Sequence, residues 1–157
     1  MTLAPLRVIA FPGAPKLPTF AALEHGIFEA EGLAVDLTLT TSSIEQARQT
    51  ASGECDIACT AFDNVVAYGE GQGAAGPDVD PDYVVVAGAT QLALSFITAP
   101  DIKTFADLRG HSVALDARTT GFAFVLYDML ERAGMSAQDV DMVEVGSTPA
   151  RWQSVKA

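Results

Sequence analysis

The stretch CDIACTAFDN (55–64) holds both cysteines of the chain, with Asp56 and Asp63 beside them. A structural zinc site commonly pairs cysteines at C-x2-C to C-x4-C and needs two further ligands. The only histidines, His25 and His111, belong to other predicted elements: His25 caps a helix end and His111 follows Gly110 in a turn. On a strand, Cys55 and Cys59 would share a face about 13 Å apart, beyond the roughly 7 Å that a disulfide spans. Cysteine also packs as a small hydrophobe. The pair is expected to be buried in a strand, with no metal and no cofactor. GQGAAG (71–76) matches a dinucleotide fingerprint in letters only, because that motif must follow a strand and open a helix. DVDPD (78–82) has calcium-loop spacing but lacks the glycine and glutamate that complete an EF-hand. No nucleophile stands with a base and an orienting group, so nothing argues for catalysis.

DARTTGFAF (116–124) offers more. Arg118, Thr119, Thr120 and Gly121 fall between a strand and the start of a strong helix. Free amides, hydroxyls and the positive end of a helix dipole at that place suit an anionic group. The plain alternative is a threonine N-cap beside a solvated arginine. TAFDN (60–64) occupies the same kind of junction. There Thr60, Asp63 and Asn64 could hydrogen-bond an amine or heterocycle, with Phe62 or Phe11 stacking on it. Asp63 could equally serve only as a charge matched to its helix dipole. Ser42 and Ser43 could cap their helix or donate to a ligand.

The elements that position these residues alternate between strand and helix. LRVIAF (6–11) reads as a strand closed by Pro12-Gly13, and PTFAALEHGIFEAEG (18–32) as a helix with Phe20, Leu23, Ile27 and Phe28 on its apolar stripe. LAVDLTLT (33–40) alternates as a strand. SSIEQARQTASG then opens on a capping box, Ser42 with Glu45 or Ser43 with Gln46. DIACT (56–60) is a strand, followed by a helix carrying Phe62, Val65 and Val66 on one side. A Gly/Pro/Asp loop (69–82) leads to YVVVAGA (83–89), an apolar run of the kind found in strands covered on both faces. SVALD (112–116) and MVEVGS (142–147) are further strands. Between them GFAFVLYDMLERAG has apolar positions 122, 125, 126, 129, 130 and 133, an exposed Asp128–Arg132 pair and Gly134 as its stop. A last helix runs from Pro149 to Ala157. This alternation predicts an α/β fold with mostly parallel sheets and right-handed crossovers. Ligands then gather beyond the carboxyl ends of strands, at Phe11–Gly13, Thr41–Ser43, Thr60–Asn64 and Asp116–Gly121.

With 49% hydrophobic residues in 157, the chain has enough apolar surface for a core. Nine basic against twenty acidic residues, a formal net charge of -11, oppose nucleic-acid or anionic-membrane binding. The start MTLAPLRVIAFPG has only the apolar run Val8 to Phe11, which is neither a secretory signal core nor a membrane span. Either a cytosolic chain or one stripped of its export signal is expected, with no membrane insertion.

Several stretches, in order and spacing across residues 5–157, resemble type II periplasmic solute-binding proteins, in the branch serving nitrate, sulfonates, taurine and thiamine-pyrimidine precursors. AALEHGIFEAEGLAVDL resembles a family helix and second strand, and ASGECDIACTAFDN its "SGE-x-D-x-A" segment. IKTFADLRGHSVAL is similar to its "IKS-x-x-DL-x-G-x-x-VA", and LERAGMSAQDV with the closing ARWQSVKA to its "AG-x-x-x-x-DV" and "A-R-x-x-A-x". The resemblance implies two α/β lobes that close on a ligand: lobe 1 over 1–90, a hinge or crossover over 91–100, and the first half of lobe 2 over 101–157. It implies an ABC importer permease as partner, and a periplasmic or lipid-anchored extracellular place. Family members run to roughly twice this length, so the segments that complete both lobes are expected to be missing, and exposed sheet edges would favour dimerisation. A small polar organic ligand is expected, amine-plus-acid or heteroaromatic, like a thiamine precursor or a sulfonate. The alternatives are a cytosolic enzyme resembling thiamine-pyrimidine synthases, which need an iron-binding cysteine motif, and a cytosolic ligand-sensing domain.

Overall fold

The computed structural model describes residues 2–88 and 94–156. The chain divides into two compact units, Met1–Thr90 and Gln91–Ala157. In the first, strands β1 (Ala4–Ala10), β2 (Leu33–Leu39) and β3 (Ile57–Cys59) form a parallel sheet of order β2-β1-β3. Its register aligns Ala10 with both Leu39 and Cys59. All three strands therefore end at one edge, and Phe11, Thr40 and Thr60 emerge there side by side. Val8, Ile9 and Ala10 are buried, as expected for the central strand of a parallel sheet. Its amino-terminal half is pinned by Arg7, whose backbone N–H and guanidinium both donate to the Asp56 carboxylate, at 2.5 to 3.0 Å.

The crossovers follow local chemistry. The stretch predicted as one helix over 18–32 is two, α1 (Leu17–Glu24) and α2 (Ile27–Ala30), because Gly26 takes a left-handed conformation between them. The stripe is looser than expected, with Ile27 exposed. His25 is the C-cap of α1. Helix α3 (Ser43–Ala51) starts at Ser42, whose hydroxyl accepts from the Glu45 N–H. Gln46 takes no part in that cap. It is 1% exposed, and its amide reaches the main chain of β1 and β3 instead.

Helix α4 (Phe62–Gly69) turns a different face inward from the one predicted. Asn64, Ala67 and Tyr68 are buried, whereas Phe62 and Val66 are exposed. The reason lies in the loop after it. Ala75 N–H donates to the Tyr68 hydroxyl at 3.1 Å, and Tyr83 meets the Tyr68 ring edge-on. Gly73 lies so close that a Cβ there would come within 2.1 Å of that ring. The GQGAAG stretch is thus a lid on an aromatic side chain. Residues 83–88 do not form the predicted strand. Val84 and Val86 are 78% and 80% exposed. A covered strand needs a neighbour to accept its ladder, and no described strand pairs with this one. Ala89, at its end, lies outside the described residues, as do 91–93 of the expected hinge; residues 94–99 have no regular secondary structure.

In the second unit, β4 (Ser112–Leu115) and β5 (Asp141–Glu144) pair in parallel, with Leu115 opposite Glu144. Helix α5 (Gly121–Arg132) crosses between them, and α6 (Thr148–Lys156) follows β5. Leu108, Val113, Leu115, Ala123, Leu126, Leu130, Met135, Val140 and Met142 make a single core. The predicted stripe of α5 is rotated slightly: Val125 is exposed and Ala123 is fully buried. Gly134 stops the helix in a left-handed conformation, and Asp128 pairs with Arg132 at 2.7 Å as expected. Two capping boxes, Thr104 with Asp107 and Ser136 with Asp139, fix the 3-10 turns that lead into the strands.

Candidate functional site

At the carboxyl edge of the first unit, three strand ends meet two helix starts. Gly13 has φ +142°, a conformation closed to other residues, and turns the chain from β1 into the 3-10 turn Ala14–Lys16. Phe11 is half-buried, and Pro12 and Gly13 are exposed. Thr40 is buried; its hydroxyl donates to the Ser42 carbonyl and accepts from the Ser42 N–H. Thr41 is exposed, and Ser43 is buried with a partner of its own. Thr60 accepts the Asn64 amide at 2.7 Å, which fixes both side chains. Phe62, the first residue of α4, stands 68% exposed, an aromatic face presented to solvent at the strand-to-helix junction. Asp63 follows it in the first turn and is also partnered.

Beneath this edge, the Gln46 amide donates to the carbonyls of Ile9 and Cys59, both at 3.3 Å. One buried side chain therefore ties α3 to the ends of β1 and β3. Cys55 is buried just before β3, and desolvation pushes its thiol pKa up, so it is a poor nucleophile. Both cysteines are free thiols. No group of three or more His, Cys, Asp or Glu side chains among the described residues could hold a metal ion.

The second unit repeats the arrangement. Because β4 and β5 end in register, Asp116 and Val145 emerge together, and α5 and α6 begin close by. Thr120 is 1% exposed and caps α5: its hydroxyl accepts from the Ala123 N–H and donates to the Ala117 carbonyl. The threonine reading as a cap thus holds in the geometry. Thr119 is exposed, Gly121 is buried at the first position of α5, and Asp116 is half-buried with a partner of its own. Arg118 is drawn to β5. Its guanidinium donates to the Glu144 carboxylate at 3.1 Å and to the Met142 carbonyl at 2.7 Å, while the Tyr127 hydroxyl holds its own carbonyl.

The end of β5 adds Ser147, Thr148 and Arg151, which are not among the candidates named from the sequence. Ser147 is buried, and its carbonyl accepts the first helical hydrogen bond of α6, from Arg151. The Arg151 guanidinium lies 5.4 Å from the centroid of the Phe122 ring and donates to the Thr148 hydroxyl at 2.7 Å. A groove of about 310 Å³ also marks this unit, lined in part by Phe96, Lys103, Phe105 and Met129. None of the candidate ligand-binding residues named from the sequence lines it.

Residues 16–153 match the family described as NMT1/THI5 like. No curated protein matches the chain. Among solved structures, the alkanesulfonate-binding protein SsuA from Xanthomonas axonopodis pv. citri, bound to MOPS, is similar with a TM-score of 0.61 and 16% identity, covering 97% of this chain and 51% of its own. The periplasmic aliphatic sulphonate binding protein SsuA from Escherichia coli has a TM-score of 0.57 and 16% identity, over 96% of this chain and 51% of that one. A protein from Bordetella bronchiseptica RB50 has a TM-score of 0.60 and 21% identity, over 92% and 45%. The chain thus spans about half the length of these relatives, and at such identities the likeness defines the fold. This chain belongs to the NMT1/THI5 like family and has the α/β fold of the type II periplasmic solute-binding proteins.

Proposed function

We propose that this chain is the ligand-gripping part of a solute-binding protein serving an ABC uptake system, with binding rather than catalysis as its output. The observation that carries the reading is the repeated edge. Each unit ends its parallel strands in register and starts a helix there with a hydroxyl cap, Ser42 for α3 and Thr120 for α5. Such edges are where open α/β sheets take ligands. The candidate ligand contacts are Phe11–Gly13 with Ser42–Ser43 and Thr60–Asn64 in the first unit, and Asp116–Gly121 in the second. The sulfonate-binding neighbours support an acidic headgroup on the ligand, and the capped start of α5 in the second unit suits one. At the first unit, exposed Phe62 and acidic Asp63 favour an amine or heteroaromatic group at the other end. The working place of such a protein is the periplasm or the outer cell surface, and its macromolecular partner is an importer permease. Equilibrium dialysis of the full chain against MOPS, 2-aminoethanesulfonate and an aminopyrimidine tests this. Saturable binding of at least one is expected; saturable binding of none overturns the reading.

A further inference from the structure

We infer that Arg151, not Arg118, sets the preference of the second unit for anionic ligands. This deepens the binding role proposed above and rests on it. In a chain of net charge -11, an anion is attracted only where a local cation escapes neutralisation. Among the other cations of this unit, Arg109, Arg118 and Arg132 each have a carboxylate, from Asp139, Glu144 and Asp128. Lys103 lines the groove beside Phe96 and Phe105, and Lys156 lies over the Trp152 ring at the far end of α6. Arg118 also donates to the Met142 carbonyl, so its charge is offset and its side chain is drawn onto β5. Arg151 has no carboxylate within ion-pair reach among the described residues. It rests against the Phe122 ring and gives a single hydrogen bond to Thr148, leaving other N–H donors of its guanidinium open.

Its position makes this more telling. Arg151 stands in the first turn of α6, where the helix dipole disfavours a positive charge. The first turns of α3 and α4 carry acids, Glu45 and Asp63, as that dipole prefers; those of α5 and α6 carry none. Phe122 is the second residue of α5, so the ring contact brings the guanidinium to the start of that helix as well. Ser147, next to Thr148, is 9% exposed. An unneutralised arginine and two helix starts without acids concentrate positive potential at one edge. Local rules broken together, with nothing nearby to offset them, mark a place built for a negative partner. A sulfonate or carboxylate, which accepts the forked donors of a guanidinium, has that chemistry.

Trp152, half-exposed beside Arg151, provides the readout. The full chain is titrated with MOPS by tryptophan fluorescence, as wild type, R151Q, R151K and R118Q. R151Q should weaken binding at least fivefold, R151K should bind more tightly than R151Q, and R118Q should lose less than fivefold. A smaller loss in R151Q, or an equal or larger one in R118Q, overturns the inference while leaving the binding role intact. Should R151Q fail to fold, wild type decides: its affinity for MOPS must fall between about 20 and 300 mM salt, where screening of exposed charges sets in. Affinity unchanged by salt overturns the inference. Wild type that binds only the aminopyrimidine overturns it alone, and wild type that binds nothing overturns it together with the proposed function.

Discussion

Gln46 is the side chain on which the first unit's edge most depends. It is 1% exposed, and its amide joins the carbonyls at the ends of β1 and β3 across α3. Gln46→Met keeps the length and volume of the side chain and removes both donors. Each lost bond costs about 0.5 to 1.5 kcal/mol net, and the bonds at 3.3 Å are long, so the middle of that range applies. Two bonds give about 2 kcal/mol, with little cavity cost because the volume is kept. The loss is local, so hydrogen exchange read by mass spectrometry on peptides is the fitting assay. At about 1.4 kcal/mol per tenfold, amides of residues 6–11 and 57–60 should exchange about 30-fold faster. Peptides covering 112–115 and 121–132, in the other unit, should not change. Acceleration below about threefold at β1 and β3, or equal acceleration in both units, would refute the role given to Gln46.

Two further outcomes follow from the packing and the charges. Gly73→Ala places a Cβ 2.1 Å from a Tyr68 ring that is already held by Ala75 and Tyr83. Overpacking of this kind costs about 1 to 3 kcal/mol. Thermal melts should show the loss in G73A and a much smaller one when it is introduced into Tyr68→Ala; equal losses in both backgrounds would show that the ring is not the cause. Asp56 is held at a pKa of about 2, first by the hydrogen bond from the Arg7 side chain and then by its backbone N–H. Asp107 and Asp139 are lowered too, chiefly by hydrogen bonds from Thr104 and from the Ser136 backbone. For Asp56 the stabilisation is full above the unfolded value, about 3.9, and is lost as pH falls through about 2. Urea midpoints of Asp56→Asn should therefore sit below wild type at pH 5 and converge with it near pH 2. A constant gap across that range would contradict the ion-pair account.

The strands were readable because β-branched runs bounded by glycine, proline and capping serines leave few alternatives. Helix α5 was readable because its period persists to Gly134. What stayed hidden depended on partners distant in sequence. The run Tyr83–Val86 has strand composition, but a strand exists only when another backbone takes its hydrogen bonds. Helix α4 turned because the loop after it fastens Tyr68, and no period within eight residues records that. Arg118 looked available because Glu144 lies 26 positions away, at the end of another strand. The caps at Ser42 and Thr120 were local, and were legible. Arg151 follows a strand end as Arg118 does, so its place was legible, but the Phe122 ring against it, 29 positions away, was not.

The most direct test of the account is a map of ligand contact on the full chain by two-dimensional 15N NMR during titration with MOPS. The account predicts saturating shifts at the amides of 117–122 and 147–152, with further shifts near 60–64. Shifts confined to the groove beside Phe96 and Phe105, or no saturable shifts at any strand end, would contradict it.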